Sequence, residues 1–64
     1  MKVKKTSYRG HWYESWKSDD KRKHYQVRLR MADGSITIRK AQDDENSKSI
    51  IREHNRIMAK YSSN

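Results

Sequence analysis

The chain contains no cysteine, no phenylalanine and only two glycines among its 64 residues. Without cysteine, neither a disulfide staple nor a thiolate zinc site can form. With glycine confined to positions 10 and 34, there is no glycine-rich loop to cradle a nucleotide phosphate. Apolar residues make up only 31% of the sequence. A chain this short buries only about 60% of the surface its unfolded form exposes, so one small core must carry the fold. Large catalytic clefts, multi-layer α/β folds and internal repeats are therefore not expected. No apolar run reaches the length of a transmembrane helix. The segment from Lys2 to Lys5 lacks the apolar stretch of a signal peptide, so a cytoplasmic, nucleoid-associated protein without a membrane partner is expected.

What is abundant is positive charge. Sixteen Lys and Arg against eight Asp and Glu leave a net charge of +8. So large a charge on so small a body draws polyanions and speeds encounter with them. Nucleic acid is the commonest such partner inside a cell.

Low hydrophobicity with high charge also describes disordered chains, but the periodicity here argues for folding. From His24 to Met31 the residues alternate without a break. Tyr25, Val27, Leu29 and Met31 fall on one face, with His24, Gln26, Arg28 and Arg30 on the other. That is the period of a half-buried strand. Asp33-Gly34 follows as a hairpin turn signal, and Ser35 to Arg39 alternates again with Ile36 and Ile38 as its apolar face. Ser7 to Trp16, rich in Tyr and Trp, supplies a further strand, because two strands alone are too small to hold a helix.

Asp43-Asp44-Glu45-Asn46 has the composition of a helix start. Beyond it, Ile50, Ile51, His54, Ile57, Met58 and Tyr61 gather on one stripe at helical spacing, with Lys48, Arg52, Arg56 and Lys60 opposite. The expected architecture is α+β: a three-stranded antiparallel sheet packed on one C-terminal amphipathic helix, in the order strand–strand–strand–helix. Residues 1–6 are expected to form a basic flexible arm, 7–60 the domain, and 61–64 a frayed tail.

With the helix on one face of the sheet, the other face is open. On the hairpin it is expected to present Gln26, Arg28, Arg30, Thr37 and Arg39. Arg forks onto phosphate or guanine, and Gln pairs with adenine. Strands can carry such groups into the major groove. Arg9, His11 and Tyr13 share one face of the first strand, and Trp12, Glu14 and Trp16 share the other. The pattern leaves open which face is exposed. The default puts Trp12 and Trp16 in the core for their area, whereas exposed aromatics beside Arg serve for stacking. Lys2, Lys4 and Lys5, with Lys21, Arg22 and Lys23 from the charged loop, are candidate phosphate contacts.

Catalysis finds little footing. His11, His24 and His54 fall on three different elements without metal-ligand spacing, and the acidic clusters are accounted for by a loop and a helix start. No cofactor, metal or small-molecule substrate is expected. The partner expected from the charge and the outward Arg and Gln is double-stranded DNA. The alternative is a protein, bound by a Trp12/Tyr13/Trp16 and Arg patch of an inhibitor or adaptor module.

Tyr8-Arg9-Gly10, then Val27-Arg28-Leu29-Arg30, then a further strand and a helix, resembles the AP2/integrase-type DNA-binding domain. In that family a three-stranded sheet backed by one helix lays its strands in the major groove. The arm-binding amino-terminal domains of phage-type tyrosine integrases are similar in size and order of elements. The resemblance spans roughly residues 7–60. It implies DNA contacts by Arg9, Arg28, Arg30, Thr37 and Arg39, with Trp12 and Trp16 at outward positions.

Overall fold

A computed structural model describes residues 2–62. Four strands, β1 (Lys4–Tyr8), β2 (His11–Lys17), β3 (Lys23–Arg30) and β4 (Ile36–Ala41), form an antiparallel meander in the order β1-β2-β3-β4, followed by one helix, α1 (Asp44–Ser62). The α+β class with a C-terminal helix agrees with expectation, but the sheet has four strands rather than three. The expected first strand is two strands, split at Arg9-Gly10. These two residues have φ of 48° and 86°, and Tyr8 pairs with His11 across them. A two-residue turn with positive φ at both positions matches the right-handed strand twist, and Gly10 takes the second position without a Cβ penalty. The segment expected as a flexible arm is thereby recruited: Lys4, Lys5 and Thr6 pair with Ser15, Glu14 and Tyr13. Met1, Ser63 and Asn64, the ends of the expected arm and tail, lie outside the described residues, while Tyr61 continues the helix.

The other two connections share one construction. In Ser18–Arg22 and Met31–Ser35 a tight turn is followed by a residue of positive φ, Lys21 (64°) and Gly34 (89°). Closing bonds run from Ser18 N to Arg22 O (3.0 Å) and from Met31 N to Ser35 O (2.9 Å). Asp33 braces the second loop by accepting from the Ser35 amide and hydroxyl, which holds its carboxyl below the ordinary value.

Loop length then decides the faces. Side chains alternate along a strand, so an odd-length loop keeps odd-numbered residues of both strands on one face, and an even-length loop exchanges them. The five-residue loops set Tyr13 opposite Val27 and Val27 opposite Arg39, whereas the two-residue turn sets Thr6 opposite Tyr13. One face therefore gathers Thr6 and Tyr8 with His11, Tyr13, Tyr25, Val27 and Leu29. On this face α1 packs, burying Ile51 and Ser47 completely. The core is Tyr13, Tyr25, Val27, Leu29 and Ile51, with Tyr8, Ala41 and Ile50 against it.

The helix begins as its sequence dictates. Asp43 caps it, its carboxylate accepting from the Asn46 amide at 2.7 Å, while Asn46 Oδ1 accepts from the Gln42 amide at 2.9 Å. The far end of the sheet is clamped by His11. Its Nδ1 accepts from the Arg30 amide (2.9 Å), so its Nε2 carries the proton and donates to Asn55 Oδ1 (2.8 Å). Asn55 Nδ2 in turn donates to Arg9 O (3.2 Å), tying α1 to the first turn. No helix among the described residues is long and apolar enough to cross a membrane.

Two tyrosines on this side titrate in opposite directions. Burial, reinforced by the Asp44 carboxylate, raises Tyr13 above the ordinary 10.0. The guanidinium of Arg52, donating to the Tyr8 hydroxyl at 3.2 Å, lowers Tyr8. In an alkaline titration followed by 13C NMR of the ring carbons, Tyr8 is expected to ionise before Tyr13. The fold favours neutral Tyr13, so that contribution to stability is intact below the unfolded tyrosine value. It is lost as pH rises through the folded one.

Candidate nucleic-acid interface

The face turned away from α1 is built from the alternate residues of all four strands. The register places Lys5 and Ser7 of β1 beside Trp12, Glu14 and Trp16 of β2. Next come His24, Gln26, Arg28 and Arg30 of β3, then Ile36, Ile38 and Lys40 of β4. Four cations and a single carboxylate share this surface.

Trp12 is its centre. The Arg30 guanidinium stands 5.0 Å and the Lys5 ammonium 4.8 Å from the indole ring, one from each neighbouring strand. Cations over an indole face are held by its quadrupole. Trp12 Nε1 donates to Glu14 Oε2 at 3.1 Å. The same carboxylate oxygen lies 3.4 Å from Arg28 Nε, with both side chains about one-quarter exposed. Arg28 donates through Nη2 to Gln26 Oε1 at 3.3 Å. Its Nε is buried and has no hydrogen-bond partner among the described residues. The guanidinium is thus steered by two neighbours, its Nε turned inward and Nη2 given in part to Gln26.

Two hollows, each with a Trp in its wall, run from this surface round the ends of the strands. One is lined by Lys5, Trp12 and Arg30 from the open face and by Tyr8 and His11 from the helix side. The other is lined by Trp16, His24, Gln26 and Lys40 from the open face and by Tyr25 and Ala41 from the helix side. Trp16 and His24, directly opposite across β2 and β3, stack at 5.6 Å with their rings 23° apart.

Of the residues expected to read DNA, Trp12, Gln26, Arg28 and Arg30 share this face. Arg9 sits at the tip of the β1–β2 turn, its guanidinium 5.4 Å from the Tyr8 ring. Thr37 and Arg39 do not join them. They pair with Leu29 and Val27 and so lie on the helix side. Asp33-Gly34 does turn the chain, but Gly34 closes a five-residue connection, and its odd length turns Thr37 and Arg39 away while bringing Ile36, Ile38 and Lys40 to the open face. The default placement of Trp12 and Trp16 is likewise corrected. Both lie on the open face, and Tyr13, only 3% exposed, supplies the core instead.

Among the candidate phosphate contacts, Lys5 lies on the open face and Lys21 and Arg22 in the exposed Ser18–Arg22 loop. Lys2, Lys4 and Lys23 surround a corner hollow with Trp16 and Lys17; Lys4 pairs with Ser15 and Lys23 with Lys17, so these two take the helix side of the sheet, away from the open face. Glu14 and Lys40 were outside the expected set. Glu14 shares the alternation of Trp12, whereas Lys40 could be found only by knowing the loop length.

Two of the three histidines meet in a way their sequence spacing does not show: His11 and His54 contact edge to face at 5.0 Å. No group of three His, Asp or Glu side chains with metal-site geometry occurs among the described residues. No family model, characterised protein or solved structure matches the chain.

Proposed function

We propose that the protein binds double-stranded DNA without catalysis, laying the open face of its sheet in the major groove with regulatory or architectural effect. The observation that carries this reading is the cluster around Trp12, with Arg30 and Lys5 against its ring and Arg28 held by Glu14 and Gln26. Guanidiniums fixed by neighbours lose less freedom when they fork onto a guanine edge or a phosphate. In this reading Arg28 and Arg30 reach base edges, with Gln26 and Trp12 beside them. Arg9, Lys5, Lys2, Lys21 and Arg22 contact the flanking phosphates. The AP2/integrase-type resemblance belongs to the same proposal, supported by outward Trp12 and Trp16 and by strands that precede a single helix.

The test is an NMR titration of labelled protein with a mixed-sequence duplex at two salt concentrations. Shifts are expected on Trp12, Gln26, Arg28 and Arg30. Affinity should fall with log salt at a slope near −0.9 per phosphate neutralised. Shifts confined to the amino-terminal lysines, or affinity indifferent to salt, would refute it.

One observation favours a second reading, a protein-binding module. Ile36 and Ile38 are 42% and 51% exposed on the same face. Together with Trp12 and Trp16 they could form the apolar centre of a protein contact; Tyr13, buried beneath, drops out of that patch. A weak salt dependence would favour this second reading.

A further inference from the structure

One end of the sheet runs on past the start of α1. The Asp44 carboxylate, in the first turn of the helix, lies beside Tyr13, and Asn55 further along reaches His11. The helix therefore leads away from the Lys17 end of β2. On the helix side of that uncovered end the register gathers Lys4, Ser15, Lys17 and Lys23 from three strands. With Lys2 and Trp16 they line the corner hollow, which has a volume of about 370 Å³. No carboxylate among the described residues lines it.

Two features set this corner apart from an ordinary solvated surface. Lys17 and Lys23 are direct partners across β2 and β3, and like charges placed opposite each other on one face repel. Neither they nor Lys2 and Lys4 hold an ion pair among the described residues. The adjoining loop brings no relief, because its Asp20 is taken up by Ser18 and Arg22. The repulsion is left standing, at a cost to the fold, until an anion offsets it. Ammonium groups on flexible stems act as point charges, a form that suits phosphate in many orientations. A lone small anion engages few of these exposed lysines, whereas a polyanion meets several at once and releases counterions as it binds. Duplex DNA, with one negative charge per about 1.7 Å of helix axis, is such a polyanion.

We propose that the lysine corner grips the phosphate backbone of a second duplex, so that one copy of the protein bridges two DNA segments. Bridging rests on the open-face reading, which seats the first duplex; the corner lies on the reverse side of the sheet. Contact with phosphate alone carries no base information. The first duplex is thus chosen by Arg28 and Arg30, and the second by proximity, which gives the architectural effect a physical form.

The experiment captures a fluorescent duplex on a second, bead-bound duplex, and measures affinity for a single duplex in parallel by anisotropy. Wild type is expected to do both. Replacing Lys4, Lys17 and Lys23 together by glutamine should leave single-duplex affinity nearly unchanged. It should cut bridging at least about tenfold and make its log–log salt slope shallower by about 0.9 per lysine removed. All three side chains are exposed, so the variant should fold, as circular dichroism checks. Lys17→Gln alone, which breaks the facing pair, suffices otherwise. Wild type that binds one duplex and never captures the second, or a glutamine variant that bridges as wild type does, would overturn the proposal and leave the open-face reading standing. A variant that loses single-duplex affinity as far as bridging would place the corner on the first duplex and overturn it too. Wild type that binds no duplex at all would refute the open-face reading together with it.

Discussion

Replacing Arg28 and Arg30 together by alanine is expected to abolish specific binding to duplex DNA and leave the fold intact. Each guanidinium that forks onto a base contributes about 1–3 kcal/mol of discrimination. Losing both costs about 2–6 kcal/mol, or roughly 30-fold to 10⁴-fold in affinity. The fold should survive because both side chains lie on the open face, away from the Val27 and Ile51 core. Arg28 does hold an ion pair with Glu14, but a partly exposed pair contributes about 1 kcal/mol at most. Fluorescence anisotropy with a labelled duplex measures the loss, and an unchanged NMR fingerprint in the core confirms the fold. Unaltered affinity in the folded double variant would remove this face from the interface.

Ile51→Ala is expected to cost the protein a large share of its stability. Among the described residues, Ile51 is the one helix residue in the apolar core that is fully buried, and it fastens α1 to the sheet. Truncating a buried Ile to Ala costs about 2–5 kcal/mol. At about 0.05–0.15 kcal/mol per residue, a chain of this length has about 3–10 kcal/mol of total stability. The melting temperature should fall by about 8–40 °C, since each kcal/mol shifts a small domain by about 4–8 °C. Ile57→Ala provides the contrast. Ile57 lies on the same helical stripe but is 44% exposed, so its truncation should change little in the monomer. Thermal unfolding by circular dichroism compares the two; equal losses would mean that the whole stripe, not Ile51, anchors the helix.

The stripe shows where sequence reasoning stops short. Ile50, Ile51, His54, Ile57, Met58 and Tyr61 do share one side of α1, as their spacing requires. Yet burial falls from complete at Ile51 to 75% exposure at Tyr61. A 19-residue helix spans about 28 Å, longer than the short strands beneath it, so periodicity alone overstates the core. How far the sheet extends under the helix is not written in the helix.

Local chemistry determined the helix and its start at Asp43, the half-buried strand His24–Arg30, the turn near Gly34 and the surplus of positive charge. Each rests on neighbours within a few residues: capping side chains, strict alternation, a glycine free to take positive φ. The count of strands, the choice of Trp or Tyr for the core, and the membership of the open face were decided by tertiary structure. Arg9-Gly10 turns the chain although arginine gives no turn signal, and that turn converts an expected arm into β1. Tyr13 is buried because a five-residue loop sets it opposite Val27, and Thr37 and Arg39 are turned away by the same parity in the next loop. Alternation fixes which residues travel together; only the pairing of whole strands, and the side on which the helix closes, fixes which set meets solvent.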